Sequence, residues 1–129
     1  MARAVDAATL IVVMLETPEA IANADAIAAV PGVDALLIGT NDLCMEMGIP
    51  GEYTHEKVLA AYDTVIAACK KHGKHPGMGG VYAPKLIEGY VKRGMRLILT
   101  GNDFSFLMAG AKAQAAAVRA MLSQARTCG

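Results

Sequence analysis

Ile11-Val12-Val13-Met14-Leu15-Glu16-Thr17-Pro18-Glu19 is a run of five apolar residues that ends directly in a carboxylate. A segment apolar on every side predicts a strand buried on both faces, the pattern of parallel sheets. Thr17 is a capping residue type and Pro18 is tolerated at the first helical position, so a helix is expected to follow at once. Glu16 then stands at the carboxyl end of a buried strand, where α/β folds place their chemistry. The pattern recurs in Val33-Asp34-Ala35-Leu36-Leu37-Ile38-Gly39-Thr40-Asn41-Asp42. Two carboxylates at equivalent ends of neighbouring strands, one helix apart, are placed to converge on a single cation.

Outward from these two strands the chain reads as four strand–helix units. Ile21, Ala24, Ile27 and Ala28 have helical spacing over residues 17–30, and Pro31-Gly32 stops that helix. After the second strand (33–39), Gly39 to Asp42 form a turn and a short helix runs to Met47. Thr54 opens a longer helix whose stripe is Val58, Tyr62, Val65, Ile66 and Cys69, closed by Gly73. A glycine-rich third strand is expected around 74–81, then a helix from Pro84 to Gly94. The fourth strand spans 95–99, followed by Thr100-Gly101-Asn102-Asp103 and an Ala-rich helix to about Gln124. Alternating strand and helix signals predict an α/β fold with a parallel sheet and right-handed crossovers. A closed barrel of this type takes eight such units, so these four make either a small open α/β domain or half a barrel.

Composition narrows the function classes. Lys plus Arg and Asp plus Glu balance at 12 each, so no field favours nucleic acid or an anionic membrane. No apolar run approaches the roughly 18 residues of a membrane span, and residues 1–8 carry no secretory pattern. Cys44, Cys69 and Cys128 are odd in number and lack C-x-x-C spacing, which predicts reduced thiols in a cytoplasmic protein.

Val13-Met14-Leu15-Glu16-Thr17, Gly32 through Leu43 and Gly94 through Asp103 resemble the HpcH/HpaI aldolase and citrate lyase β-subunit family. These are divalent-metal-dependent aldolases of 4-hydroxy-2-oxo acids. The likeness covers about residues 9–120 and corresponds to the second half of the family's eight-unit (β/α)8 TIM barrel. It implies a reversible cleavage to pyruvate or a similar 2-oxo acid plus an aldehyde. It also implies that Glu16 and Asp42 ligate the metal, and that Gly39, Thr40, Asn41, Asp42 and Gly79 line the substrate site. Hard oxygen donors with open positions suit Mg²⁺, Mn²⁺ or Co²⁺. The family's substrate-gripping Arg and proton-carrying His belong to its first half and have no counterpart here, so no catalytic acid–base residue is assigned.

Each candidate also has a plainer reading. Glu16 complements a helix dipole, and Asp42 serves as the N-cap of a helix beginning at Leu43. The family usually has Pro or Ala-like residues at positions 40 and 41, so Thr40 and Asn41 are expected to alter the pocket. Glycine at 79, beside Gly80, predicts a roomier site or a simple bend. His55, His72 and His75 are unclustered and expected in solvent, while Cys44 and the eight Met are expected to pack. No strand end carries a lysine for Schiff-base chemistry, and Arg93, Arg96 and Arg119 sit away from strand ends. The alternatives to an aldolase are a citrate-lyase-like acyl-CoA lyase, for which no basic cluster is evident, and a non-catalytic half-barrel that assembles with a partner. Two open sheet edges predict a homo-oligomer or a complementing half-barrel.

Overall fold

A computed structural model describes residues 8–127, with side chains through residue 124. Cys128 and the stretch 1–7 read for a leader lie outside that range. Strands and helices alternate as β1 (Val12–Leu15), α1 (Pro18–Ala22), α2 (Ala24–Ala28), β2 (Ala35–Gly39), α3 (Thr40–Glu46), α4 (Glu56–His72), β3 (His75–Gly79), α5 (Pro84–Arg93), β4 (Leu97–Ile98) and α6 (Asp103–Thr127). The four strands are parallel and lie in chain order, β1-β2-β3-β4. Each strand beside its predecessor is the order of a βα-barrel wall; a doubly wound sheet reverses at a switch point. The expected α/β architecture is therefore present.

Local chemistry sets the boundaries. Thr17 Oγ1 accepts from the Ala20 amide at 3.1 Å, and Pro18 takes the first helical position. The single helix expected over 17–30 is instead two short ones parted at Asn23. There the side-chain amide donates to the Glu19 carbonyl, competing with the helical ladder. The helix expected from Thr54 begins at Glu56, because His55 caps it by accepting the Lys57 amide on Nδ1. His72 is not the solvated residue expected. Its Nε2 and Lys71 Nζ both lie 2.9 Å from the Asp25 carboxylate, tying α2 to the last turn of α4. Those two hydrogen bonds, Lys71 first, hold the Asp25 carboxyl below its ordinary value.

One core lies between the sheet and its helices. Leu15, Leu36, Ile38 and Met78 pack there with Ile21, Val58, Tyr62 and Val65. Alternation puts Val12, Met14, Ala35, Leu37, Gly77 and Leu97 on the opposite, open face. Burial on both faces holds for β2, which is buried at every position. It fails for β1, where Val12 and Met14 are 38% and 53% exposed. An apolar run reports what a strand is made of, while burial also needs a covering partner, and β1 is an edge strand. The predicted strand 95–99 shrinks to Leu97–Ile98 for the same reason, although Arg96 and Leu99 still donate to Pro76 and Met78. Helix α6 contributes nothing to this core, and its Phe104 and Leu107 are exposed. Among the described residues no helix is long and apolar enough to cross a membrane.

Candidate metal centre

The pairing of Leu15 with Ile38 carries on so that Glu16 falls beside Gly39 at the carboxyl ends of β1 and β2. A β-carbon at Gly39 would stand 2.6 Å from Glu16 Oε1 and 2.7 Å from Glu16 Cγ. Only glycine lets the carboxylate lie across the neighbouring strand end. Asp42 follows in the first turn of α3. The helix starts at Thr40, ahead of the expected Leu43, because Gly39 already turns the chain; Asp42 is thus inside the helix and is not its N-cap.

Glu16 and Asp42 lie close enough to influence each other. Glu16 is raised above its ordinary value first by desolvation, then by the negative charge of Asp42 and by a hydrogen bond between their side chains. Acidic groups held together in this way share a proton or a cation. Among the described residues no group of three or more His, Cys, Asp and Glu assembles. Glu16 and Asp42 would offer a cation two hard oxygens, a donor type that suits Mg²⁺ or Mn²⁺ better than a closed structural zinc site.

The other expected site residues divide by direction. Thr40 is the one buried polar residue among those described. Its hydroxyl lies 2.7 Å from both the Tyr62 hydroxyl and the Gly79 carbonyl, so only its backbone is left for a ligand. Asn41 is exposed and accepts from the Tyr53 hydroxyl at 2.7 Å. Gly79 stands opposite Gly39 across the β2–β3 ladder. The room expected there is taken up, since a β-carbon at Gly79 would meet Leu99 Cδ1 at 3.0 Å. Cys44 packs as expected, and burial raises its thiol.

Sequence reasoning missed Leu99 and the hydroxyls of three tyrosines. Tyr62 and Tyr90 were legible as inward-facing residues on helical stripes, but nothing in a stripe says where a hydroxyl goes. Their rings stack at 4.1 Å, and burial pushes the Tyr90 hydroxyl up to about 12. Two of the described arginines are engaged elsewhere: Arg93 pairs with Asp63 at 2.7 Å, and Arg96 donates to the Met95 carbonyl.

Comparison with known proteins finds relatives of this chain among aldolases. The chain is 42% identical over 113 residues to the 4-hydroxy-4-methyl-2-oxoglutarate aldolase of Hapsidospora irregularis, covering 86% of this chain and 42% of that protein. It is 36% identical over 109 residues to the 4-hydroxy-2-oxo-heptane-1,7-dioate aldolase of Salmonella paratyphi C, covering 84% and 41%. Among solved structures, an HpcH/HpaI aldolase/citrate lyase family protein from Burkholderia cenocepacia superposes with a TM-score of 0.72 at 31% identity, covering 86% and 43%. The chain thus spans about two fifths of the length of the curated relatives it matches. The family match itself runs over residues 2–110, and the chain belongs to the HpcH/HpaI aldolase/citrate lyase family.

Proposed function

We propose that this chain forms the metal-binding side of a divalent-metal-dependent aldolase that cleaves 4-hydroxy-2-oxo acids to pyruvate, or a similar 2-oxo acid, and an aldehyde. The observation that carries the reading is the Glu16 carboxylate lying against Gly39, close enough to Asp42 for the two acidic groups to interact. Glu16 and Asp42 hold the cation, Mg²⁺, Mn²⁺ or Co²⁺. Once bound, it supplies Lewis-acid polarisation of the substrate's 2-oxo group. Gly39 keeps the approach to the carboxylates free of side chain. The first-turn amides of α3, at Thr40, Asn41 and Asp42, lack helical acceptors and orient an anionic substrate group. Gly79 and Leu99 wall the far side of the site. The setting is cytoplasmic.

A grip on the substrate carboxylate and a proton carrier are each worth 10²-fold or more in rate. Among the described residues no arginine is placed for the first role, and both roles fall to the complementing half of the barrel. The exposed Val12 and Met14 on the open face, with the apolar residues of α6, are the surfaces such a partner covers. The assay is pyruvate release coupled to a dehydrogenase. The chain alone should bind Mn²⁺ yet turn over at least about 10²-fold more slowly than the same chain supplied with the first four βα units of a relative. Full-rate cleavage by the chain alone would overturn this division of labour, and sedimentation of a stable monomer would overturn the assembly.

A further inference from the structure

Three of the chain's four tyrosines meet behind the carboxyl end of β2, although they are 9 and 28 residues apart in sequence. The hydrogen-bond directions among them are determined by chemistry. The Gly79 carbonyl can only accept, so the single Thr40 hydroxyl proton goes to it, and the Tyr62 hydroxyl must donate to Thr40 Oγ1. A second row runs beside the first: the Tyr90 hydroxyl donates to the Tyr53 carbonyl, and the Tyr53 hydroxyl donates to Asn41 Oδ1. The stacked rings of Tyr62 and Tyr90, 13° from parallel, join the two rows. The rows end on Thr40 and Asn41, adjacent residues immediately before Asp42. Asn41 is held from a further side by Gly80, where a β-carbon would lie 3.2 Å from the Asn41 amide nitrogen and φ is +83°.

We propose that Thr40, Tyr62, Tyr90 and Tyr53 form a clasp that sets the position of Asp42 relative to Glu16, making them positioning residues of the metal centre. The proposal rests on the metal-binding reading above and adds to it. Thr40 stitches the first residue of α3 to the end of β3, at the point where the β2–β3 ladder stops with Gly39 opposite Gly79. Tyr53 clamps the next residue from the loop before α4. With both neighbours held, the Asp42 carboxylate has one backbone frame from which to meet Glu16. The fully satisfied network behind it resists rotation of the first turn. Supporting groups of this kind commonly change metal affinity by 10- to 100-fold.

The test is Mn²⁺ titration of the 129-residue chain by calorimetry, beside thermal unfolding of each variant. Thr40→Val keeps the shape and removes the hydroxyl, and Tyr53→Phe cuts the other row. Each should weaken Mn²⁺ binding about tenfold or more, while Thr40→Ser restores it. Val65→Ala, a core cavity on the same helix as Tyr62 but outside the network, should lower the melting temperature and leave Mn²⁺ affinity unchanged. If Thr40→Val fails to fold, Tyr53→Phe on the more exposed row still decides the question. Wild-type affinity in the folded variants would overturn the clasp while leaving the metal centre standing. Mn²⁺ affinity that falls equally in Val65→Ala would reduce the effect to general stability. A wild-type chain that does not bind Mn²⁺ would overturn the metal centre and the clasp with it.

Discussion

Gly39-Thr40-Asn41-Asp42 at the end of β2 and Thr100-Gly101-Asn102-Asp103 after β4 are anagrams, each joining a strand to a helix. Their surroundings make them opposites. In the first, Thr40 is buried and bonded to Gly79, Asn41 accepts from Tyr53, and Asp42 meets Glu16. In the second, every bond is local: Asn102 accepts from the Ser105 amide and Asp103 from the Phe104 amide, both at 2.8 Å. Even the close glycine contacts differ in kind. A β-carbon at Gly101 would meet the Phe106 ring at 2.6 Å, the same separation as that between Gly39 and Glu16 Oε1. Phe106 is an exposed ring that can swing aside, whereas Glu16 would lose its place at the site. Like tetrapeptides become a cap in one place and a candidate metal centre in the other because of what stands behind them.

The sharpest way to break this comparison is with metal. At a hundredfold excess over Kd, Mn²⁺ should stabilise the chain by about 2.7 kcal/mol. Glu16→Gln or Asp42→Asn should abolish that shift, and Asp103→Asn should leave it whole. A scanning-calorimetry series in which all three behave alike would remove the distinction between the two turns. Next in size are the glycines. Gly39→Ala should weaken Mn²⁺ affinity about tenfold or more by displacing Glu16, while Gly101→Ala should change stability by only about 0.5 kcal/mol.

Acidity sharpens the contrast further, because its sign reverses with metal. The native Glu16 carboxyl is raised, so without metal its contribution to stability is present below the unfolded value of 4.5 and is lost as pH rises through the native value. With Mn²⁺ present the same proton competes with the ion, and the metal-induced shift should shrink as pH falls through that raised value. Melting temperatures between pH 4 and 8, with and without Mn²⁺, should therefore diverge upward in pH; parallel curves would sink the claim. The smallest effect belongs to the exposed turn. Asn102→Ala should cost α6 about 1 kcal/mol of helix stability, read as reduced helicity by circular dichroism with Mn²⁺ binding intact.

What was legible in the sequence followed from local rules. An apolar run ending in Glu16 and a Thr-Pro start are neighbours in the chain, and they placed β1 and the start of α1. The α/β order followed from that spacing and the family likeness, which also put Glu16 near Asp42. The misses share a cause, which is dependence on something distant. Exposure of Val12 depends on the edge position of β1, and the space at Gly79 depends on Leu99 from the next strand. The helix start at Glu56 turned on His55, a residue read as idle. Thr40 was expected to reshape a pocket and is instead buried, because Tyr62 comes 22 residues later to meet it.

Cys44 and Cys69 are both fully buried thiols raised by their surroundings, one on α3 two residues past Asp42 and the other deep on α4. A thiol in that state reacts with an alkylating reagent only when its segment opens, so the pair amounts to two clocks wired to different parts of the molecule. Cys69 keeps time with the core. Cys44 keeps time with the short helix that carries Asp42, and any lead it has over Cys69 measures how often that helix lifts away while the rest of the chain stays folded.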